Sequence, residues 1–209
     1  MRKRIAAYLM IFAAAFPILA LALIAAHREE TAVSLPQVVQ INSGCSGFIA
    51  DFGFIVTARH CVDDAYGHTE LQDIKFYDGL HAMFTTAVVG KDLDYRDYAV
   101  LIGDTRGIKP LEFANRLPEE GDLCAHVGHG GASAQQLLIY CQVGAINGWY
   151  DGYIKLYSNA IPGDSGSAVM NEAGEVFGIL VRSRYPVPVA LAVKASYAKM
   201  AIVKLKHGK

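Results

Sequence analysis

The chain carries almost no net charge: 19 lysines and arginines stand against 20 aspartates and glutamates over 209 residues, leaving −1. A nucleic-acid-binding surface needs a basic excess, so no nucleic-acid partner is expected. Internal repeats and low-complexity linkers are also missing, and helical periodicity is scarce. Beyond the N-terminus the only long helix-like stretch is Ala195 to Lys206. What is present is a series of short strand-like runs punctuated by Gly, Asp and Asn. They cover Phe48–Thr57, Ile74–Tyr77, Ala82–Val89, Tyr98–Ile102, Leu123–Val127, Gln136–Val143, Tyr153–Tyr157, Ala168–Met170 and Val176–Val181. The pattern predicts an all-β fold rather than α/β. The roughly 180 residues after the N-terminal segment suffice for one compact unit or two small β-barrels sharing a cleft.

Only one long apolar run exists, and it explains much of the 53% hydrophobic content. Met1-Arg-Lys-Arg4 precedes apolar residues from Ile5 through Ala26, followed by His27-Arg-Glu-Glu30. As a helix this run would be about 33 Å long, enough to cross a hydrocarbon core of about 30 Å. The basic cluster would stay in the cytoplasm and leave the rest of the chain on the other side. Pro17 and the small-x-small site Ala20-Leu-Ala22 fit a cleaved signal equally well. Residues 1–30 are therefore a signal peptide or a signal anchor, with membrane anchoring through residues 5–26 in the second case. Either way, a periplasmic or extracellular location is expected.

The cysteines agree with that compartment. Four of them, an even number behind an export segment, point to an oxidising space. Cys124 and Cys141 lie on two runs that could pair as neighbouring strands, so a bridge is expected there; two free core thiols are the alternative.

Ile161-Pro-Gly-Asp-Ser-Gly-Ser167 carries the strongest chemical signal. Glycines at 163 and 166 allow a tight turn whose consecutive N–H groups point at one spot beside the Ser165 hydroxyl. A serine needs a base and an orienting acid to become a nucleophile. His60, in Phe54-Ile-Val-Thr-Ala-Arg-His60-Cys61, stands at the end of a strand-like run beside a cysteine. His68, His81 and His207 lie in polar surroundings and read as surface residues. His126 and His129 are three apart but lack the further ligands a metal would need, so neither metal nor cofactor is expected. Among Asp92, Asp94 and Asp97, the last directly precedes the apolar run Tyr98 to Ile102 and is the one a buried strand would carry into a cleft. An exposed charge that merely ends a strand is the competing reading.

His60, Asp97 and Ser165, in that order, resemble the trypsin-like (chymotrypsin-fold) serine peptidases. Gly44-Cys-Ser-Gly-Phe-Ile with Val56-Thr-Ala-Arg-His-Cys is similar to the family's histidine region, Asp97-Tyr-Ala-Val-Leu to its aspartate motif, and Gly163-Asp-Ser-Gly with the strands after it to its serine motif. The resemblance spans about Gly44 to Leu180 and favours a bacterial branch near the glutamyl endopeptidases and HtrA-like members, because Ser167 replaces a glycine and Asn159-Ala-Ile-Pro-Gly precedes the turn.

The resemblance implies two six-stranded antiparallel β-barrels, over 31–110 and 111–195, with a C-terminal helix at 196–209 packed on the second barrel. An N-terminal hydrophobic helix would precede them. It implies a Ser-His-Asp triad of Ser165, His60 and Asp97, an oxyanion hole from the N–H groups of Gly163 and Ser165, and peptide or protein substrates. It also implies a disulfide between Cys45 and Cys61, and a substrate pocket involving Asn159, Val181 and Arg182. Asn159 stands where members of basic specificity carry an aspartate, so cleavage after Lys or Arg is not supported. Arg182 and Arg184 would suit an acidic side chain or else be plain solvated arginines. No basic residue precedes Val38 to Ile41, so no trypsin-style activating cut is visible and Asp164 needs another partner. A catalytically inactive binding protein on the same fold is the main rival. An α/β-hydrolase elbow is disfavoured by Ser167 and by an acid that precedes the serine.

Overall fold

A computed structural model of the chain describes residues 31–42, 44–64, 67–68, 71–89, 97–130, 135–146, 153–184 and 187–208. The hydrophobic helix expected at the N-terminus lies outside the described residues, as do Asp92 and Asp94. Among the described residues no helix is long and apolar enough to cross a membrane.

Two closed antiparallel barrels account for most of the chain. The first is built from β2 (Val38–Ile41), β3 (Cys45–Asp51), β4 (Phe54–Thr57), β7 (Leu71–Lys75), β8 (His81–Val89) and β9 (Ala99–Ile102), closed in the order β2-β3-β4-β9-β8-β7. A two-residue ribbon, β5 (Asp63–Asp64) with β6 (Gly67–His68), stands beside it. The second barrel uses β10 (Leu123–Gly128), β11 (Gln136–Ile146), β12 (Tyr153–Ser158), β13 (Ala168–Met170), β14 (Val176–Arg184) and β15 (Val187–Lys194); β11 pairs with both β10 and β12, which closes the ring. The short strand β1 (Thr31–Val33) joins this second sheet by pairing with β11.

Alternation along the strands decides what each barrel buries. Ile41, Ile49, Ile55, Ile74, Phe84 and Leu101 fill the first interior, all with no exposed surface. Cys124, Ile154, Leu156, Phe177, Leu180 and Ala192 fill the second. The opposite faces meet: Phe48, Val56 and Val100 of the first barrel join Val127, Ala168 and Ile179 of the second in one cluster. Burial of each such large side chain stabilises by about 1.5–3 kcal/mol, so the join between the barrels is a core in its own right.

The helix α1 (Ser196–His207) ends at Gly208, whose left-handed backbone (φ 64°) and N–H close the last turn. Lys204, Lys206 and His207 occupy that turn, the favourable end for positive charge. The helix buries Ala198, Ala201 and Ile202 in the inter-barrel cluster. Its reach extends beyond the second barrel expected to hold it, since Tyr197 stacks on Tyr98 of the first at 6.4 Å and Lys206 pairs with Asp51.

The run at 48–57 forms the hairpin of β3 and β4, turned at Gly53 (φ 78°). Strands β2 and β15 lie outside the strand-like runs read from the sequence. Strand β15 was not signalled because Val187-Pro-Val-Ala-Leu-Ala contains a proline. Pro188 sits near the start of the strand, where it withholds no essential ladder bond.

Candidate active site

Register brings His60 to Asp97. Thr57, the last residue of β4, is paired with Ala99, the first of β9, so the residues following Thr57 run alongside those preceding Ala99. Beyond Thr57 the chain turns through Arg59–Cys61 as a single 3-10 turn, and the Cys45–Cys61 disulfide ties that turn to the start of β3. His60 Nδ1 lies 2.8 Å from Asp97 Oδ2, and the His60 backbone N–H donates to Asp97 Oδ1 at 3.1 Å. Burial opposes ionisation of Asp97, but the bonds and charge from His60 and the Arg59 backbone outweigh it and hold the carboxyl below its ordinary value. An ionised carboxylate only accepts. Nδ1 therefore donates to it and Nε2 is left as the basic nitrogen, on a ring that is 46% exposed.

Ser165 lies in the turn between β12 and β13. The Asp164 N–H donates to Ile161 O at 3.1 Å, and the Ile161 N–H to Asp164 Oδ2 at 2.9 Å. Asp164 thus caps its own turn from a fully buried position, which supplies the partner the sequence left open. Gly166 and Ser167 anchor the turn to β14: the Gly166 N–H donates to Leu180 O at 2.7 Å, and the Leu180 N–H to Ser167 O at 2.9 Å. Gly163 (φ 101°) and Gly166 (φ 90°) adopt backbone conformations that side chains rarely tolerate. Among the described residues the N–H groups of Gly163 and Ser165 donate to no protein acceptor, although the amides on either side of Ser165 do.

The two half-sites meet through their backbones. Ser165 O accepts the Ser46 N–H at 2.8 Å and lies 3.7 Å from Cys61 Sγ, the residue after His60. No hydrogen bond joins the Ser165 hydroxyl to His60, a contact that often tightens only with substrate bound. Cys45, His60 and Cys61 bring their ligand atoms within 4.8 Å of one another, but the two sulfurs are bonded to each other and offer no thiolate. The second disulfide joins Cys124 and Cys141, which face each other across β10 and β11.

Asn159 is half-buried at the end of β12, Val181 is buried, and Arg182 and Arg184 are exposed. Strand β14 shifts register between Leu180 and Arg182, which sets Val181 out of the ladder beside the turn. His126 and His129 occupy separate environments. His126 Nε2 lies 2.9 Å from Ser158 Oγ, and burial pushes its pKa down to about 4. Burial, with a smaller contribution from Lys75, also pushes His129 down to about 4. Sequence reasoning missed Ser46, Thr57 and His129 as supports of the turn. Only the Gly44-Cys-Ser-Gly stretch hinted at Ser46, and it gave no clue to its bonds.

Comparison with known proteins bears on the family and the fold. The trypsin-like peptidase domain matches residues 45–179. A probable periplasmic serine endoprotease, DegP-like, of Rhizobium meliloti (strain 1021) is 30% identical over 172 residues, which cover 78% of this chain and 33% of that protein. The chain therefore spans about a third of that relative's length. Among solved structures, a serine endoprotease from Yersinia pestis superposes with a TM-score of 0.70 at 24% identity, covering 82% of this chain and 63% of that one. The active form of the Rv3671c protease of M. tuberculosis gives 0.65 at 19%, covering 82% and 81%. At these identities the structures speak for the fold. The domain match carries the assignment, and by it this chain belongs to the family of trypsin-like peptidase domains.

Proposed function

We propose that the chain is a serine endopeptidase that hydrolyses peptide bonds through an acyl-enzyme on Ser165. The observation that carries this reading is the turn at 163–165, where the Gly163 and Ser165 N–H groups have no protein acceptor among the described residues, together with the His60–Asp97 pair. His60 Nε2 takes the Ser165 proton as Oγ attacks the carbonyl carbon. Asp97 holds the ring and stabilises its positive charge. The oxyanion forms against the Gly163 and Ser165 N–H groups, where one such donor is worth about 3–4 kcal/mol in the transition state. His60 then returns the proton to the leaving amine, the C–N bond breaks, and water repeats the sequence in reverse roles to release the acid.

Asn159, Val181 and Arg182 line the proposed substrate pocket. Asn159 brings no charge to pair with a basic side chain. The two disulfides and the name of the R. meliloti relative support action outside the cytoplasm, in the periplasm or beyond, whether the N-terminal segment is cleaved or retained. A fluorophosphonate probe tests the reading: it should label the wild type at Ser165 and leave Ser165→Ala unlabelled, in step with turnover of an unstructured protein substrate. A folded wild type that neither labels nor cleaves would be a binding protein on a peptidase fold.

A further inference from the structure

Ser46 stands at the crossing of four hydrogen bonds, two of which tie the nucleophile turn to the first barrel. It is completely buried on β3, on the same face as Phe48 and Ala50, which both belong to the inter-barrel cluster. Its N–H donates to Ser165 O at 2.8 Å and its carbonyl accepts the Thr57 hydroxyl at 2.6 Å. Its own hydroxyl accepts the His129 N–H at 2.8 Å and donates to Gly163 O at 2.9 Å. One residue of the first barrel therefore grips the carbonyls of both residues whose N–H groups face the proposed oxyanion.

We propose that Ser46 is a positioning residue that holds the oxyanion turn in its productive conformation, an inference that rests on the peptidase reading above. The geometry gives the reason. The Ser46 hydroxyl fixes the peptide plane between Gly163 and Asp164, and its N–H fixes the plane between Ser165 and Gly166. The intervening plane, which carries the Ser165 N–H, is bracketed by the two. Gly163 is free of Cβ restraint, so its peptide units can rotate unless something outside the turn holds them. The two ends of the clamp belong to different barrels, so the turn stays set only while the barrels stay docked. Tight packing leaves Ser46 little freedom to relax: a Cβ on Gly166 would collide with the Ser46 carbonyl and the Thr57 hydroxyl. Thr57 holds the Ser46 carbonyl, and the His129 N–H fixes the hydroxyl's direction, since a hydroxyl lone pair takes that N–H and leaves the proton for Gly163 O.

The experiment compares wild type, Ser46→Ala and Ser46→Thr, all checked for folding by near-ultraviolet circular dichroism. Turnover of a peptide substrate is measured together with affinity for a peptide boronate, whose tetrahedral adduct on Ser165 places an oxygen where the oxyanion forms. Ser46→Ala should lower kcat about 10- to 100-fold, below the loss of a whole oxyanion donor, with KM within about twofold. Boronate affinity should fall in parallel, and Ser46→Thr should recover most of both. Wild-type kcat in folded Ser46→Ala, a rise in KM alone, or an unchanged boronate affinity overturns the proposal. If Ser46→Ala does not fold, Ser46→Gly carries the same comparison, and failure of both to fold assigns the hydroxyl to stability and likewise overturns it. A wild type that resists fluorophosphonate defeats the peptidase reading itself; a labelled wild type with an indifferent Ser46→Ala defeats only this inference.

Discussion

The two barrels share a strand count and differ in what they bury. The first packs isoleucine, phenylalanine and leucine in its interior and presents His60 and Asp97 at its rim, where the ring is nearly half exposed. The second encloses a disulfide and smaller residues such as Ala160, Ala190 and Ala192. The turn that follows its strand β12, together with β10 and its end, buries polar groups: His126, His129, Asp164 and Ser167. A base must exchange protons with solvent and substrate, so it belongs on a wet rim. An oxyanion hole must keep its donors fixed against a charge that exists only in passing, so it is built into the wall of a packed body. On the peptidase reading proposed above, the division of labour follows from those two demands.

The largest expected effect breaks the rim side of this comparison while leaving packing alone. Asp97→Asn keeps the shape, but the amide also has N–H groups to offer and no longer fixes Nδ1 as the donor. The wrong tautomer of His60 then faces Ser165, and kcat should fall about 10⁴-fold with little change in melting temperature. Steady-state kinetics beside thermal unfolding measures both; a large drop in melting temperature with modest kinetic loss would show that Asp97 serves the fold more than the base.

The turn should respond in the opposite way. Gly166 has φ 90°, and a methyl there meets the Ser46 carbonyl and the Thr57 hydroxyl, atoms of the neighbouring barrel. Gly166→Ala should cost about 4 kcal/mol or more and abolish labelling at Ser165 together with stability. Urea unfolding read alongside probe labelling tests the coupling. A stable, unlabelled variant would mean that the turn moves without disturbing the join between the barrels.

Acid separates the barrels next. His126 and His129 have folded pKa values lowered to about 4 from about 6.5, so the unfolded chain binds their protons first. Their contribution is complete above about pH 6.5 and is lost as pH falls toward 4, at up to about 1.4 kcal/mol per unit for each histidine, or about 3 kcal/mol apiece. Asp97 has a lowered pKa too, but its share is lost only below the ordinary carboxylate range. Urea unfolding from pH 7 to pH 4 should show the slope expected for two protons. His126→Asn and His129→Gln should each remove about one; an unchanged slope in the double variant would place the acid sensitivity elsewhere.

Much of this was legible in the sequence, for reasons that differ between the barrels. His60 and Asp97 could be read because each adjoins an apolar run whose burial dictates where the polar neighbour goes. The serine turn could be read because Gly163 and Gly166 mark backbone that only glycine adopts readily. Strand β15 could not, since Val187-Pro-Val-Ala-Leu-Ala is weak as a local strand signal and is held by long-range pairing to β12 and β14. The clamp from Ser46 was hidden for the same reason. Its bonds to Gly163 and Ser165 join residues more than a hundred positions apart, and a buried serine announces nothing about its partners.

The disulfides offer the finest test, because the two loops are nearly equal in length and differ only in where they sit. Cys45–Cys61 spans 16 positions and Cys124–Cys141 spans 17, so removing either should cost about 3 kcal/mol through the freedom returned to the unfolded chain. Equal thermodynamic cost makes any kinetic difference a matter of place. Cys61 follows His60 in the same 3-10 turn and touches Ser165 O, whereas Cys124 and Cys141 lie within β10 and β11, away from the rim. Paired serine substitution at 45 and 61 should therefore lower kcat several-fold at a temperature where the protein remains folded; the same change at 124 and 141 should lower the melting temperature alone. If both pairs shift kcat alike, the disulfide beside His60 steadies the barrel no differently from its counterpart. The rim would then owe its order to the Asp97 bonds rather than to the covalent tie.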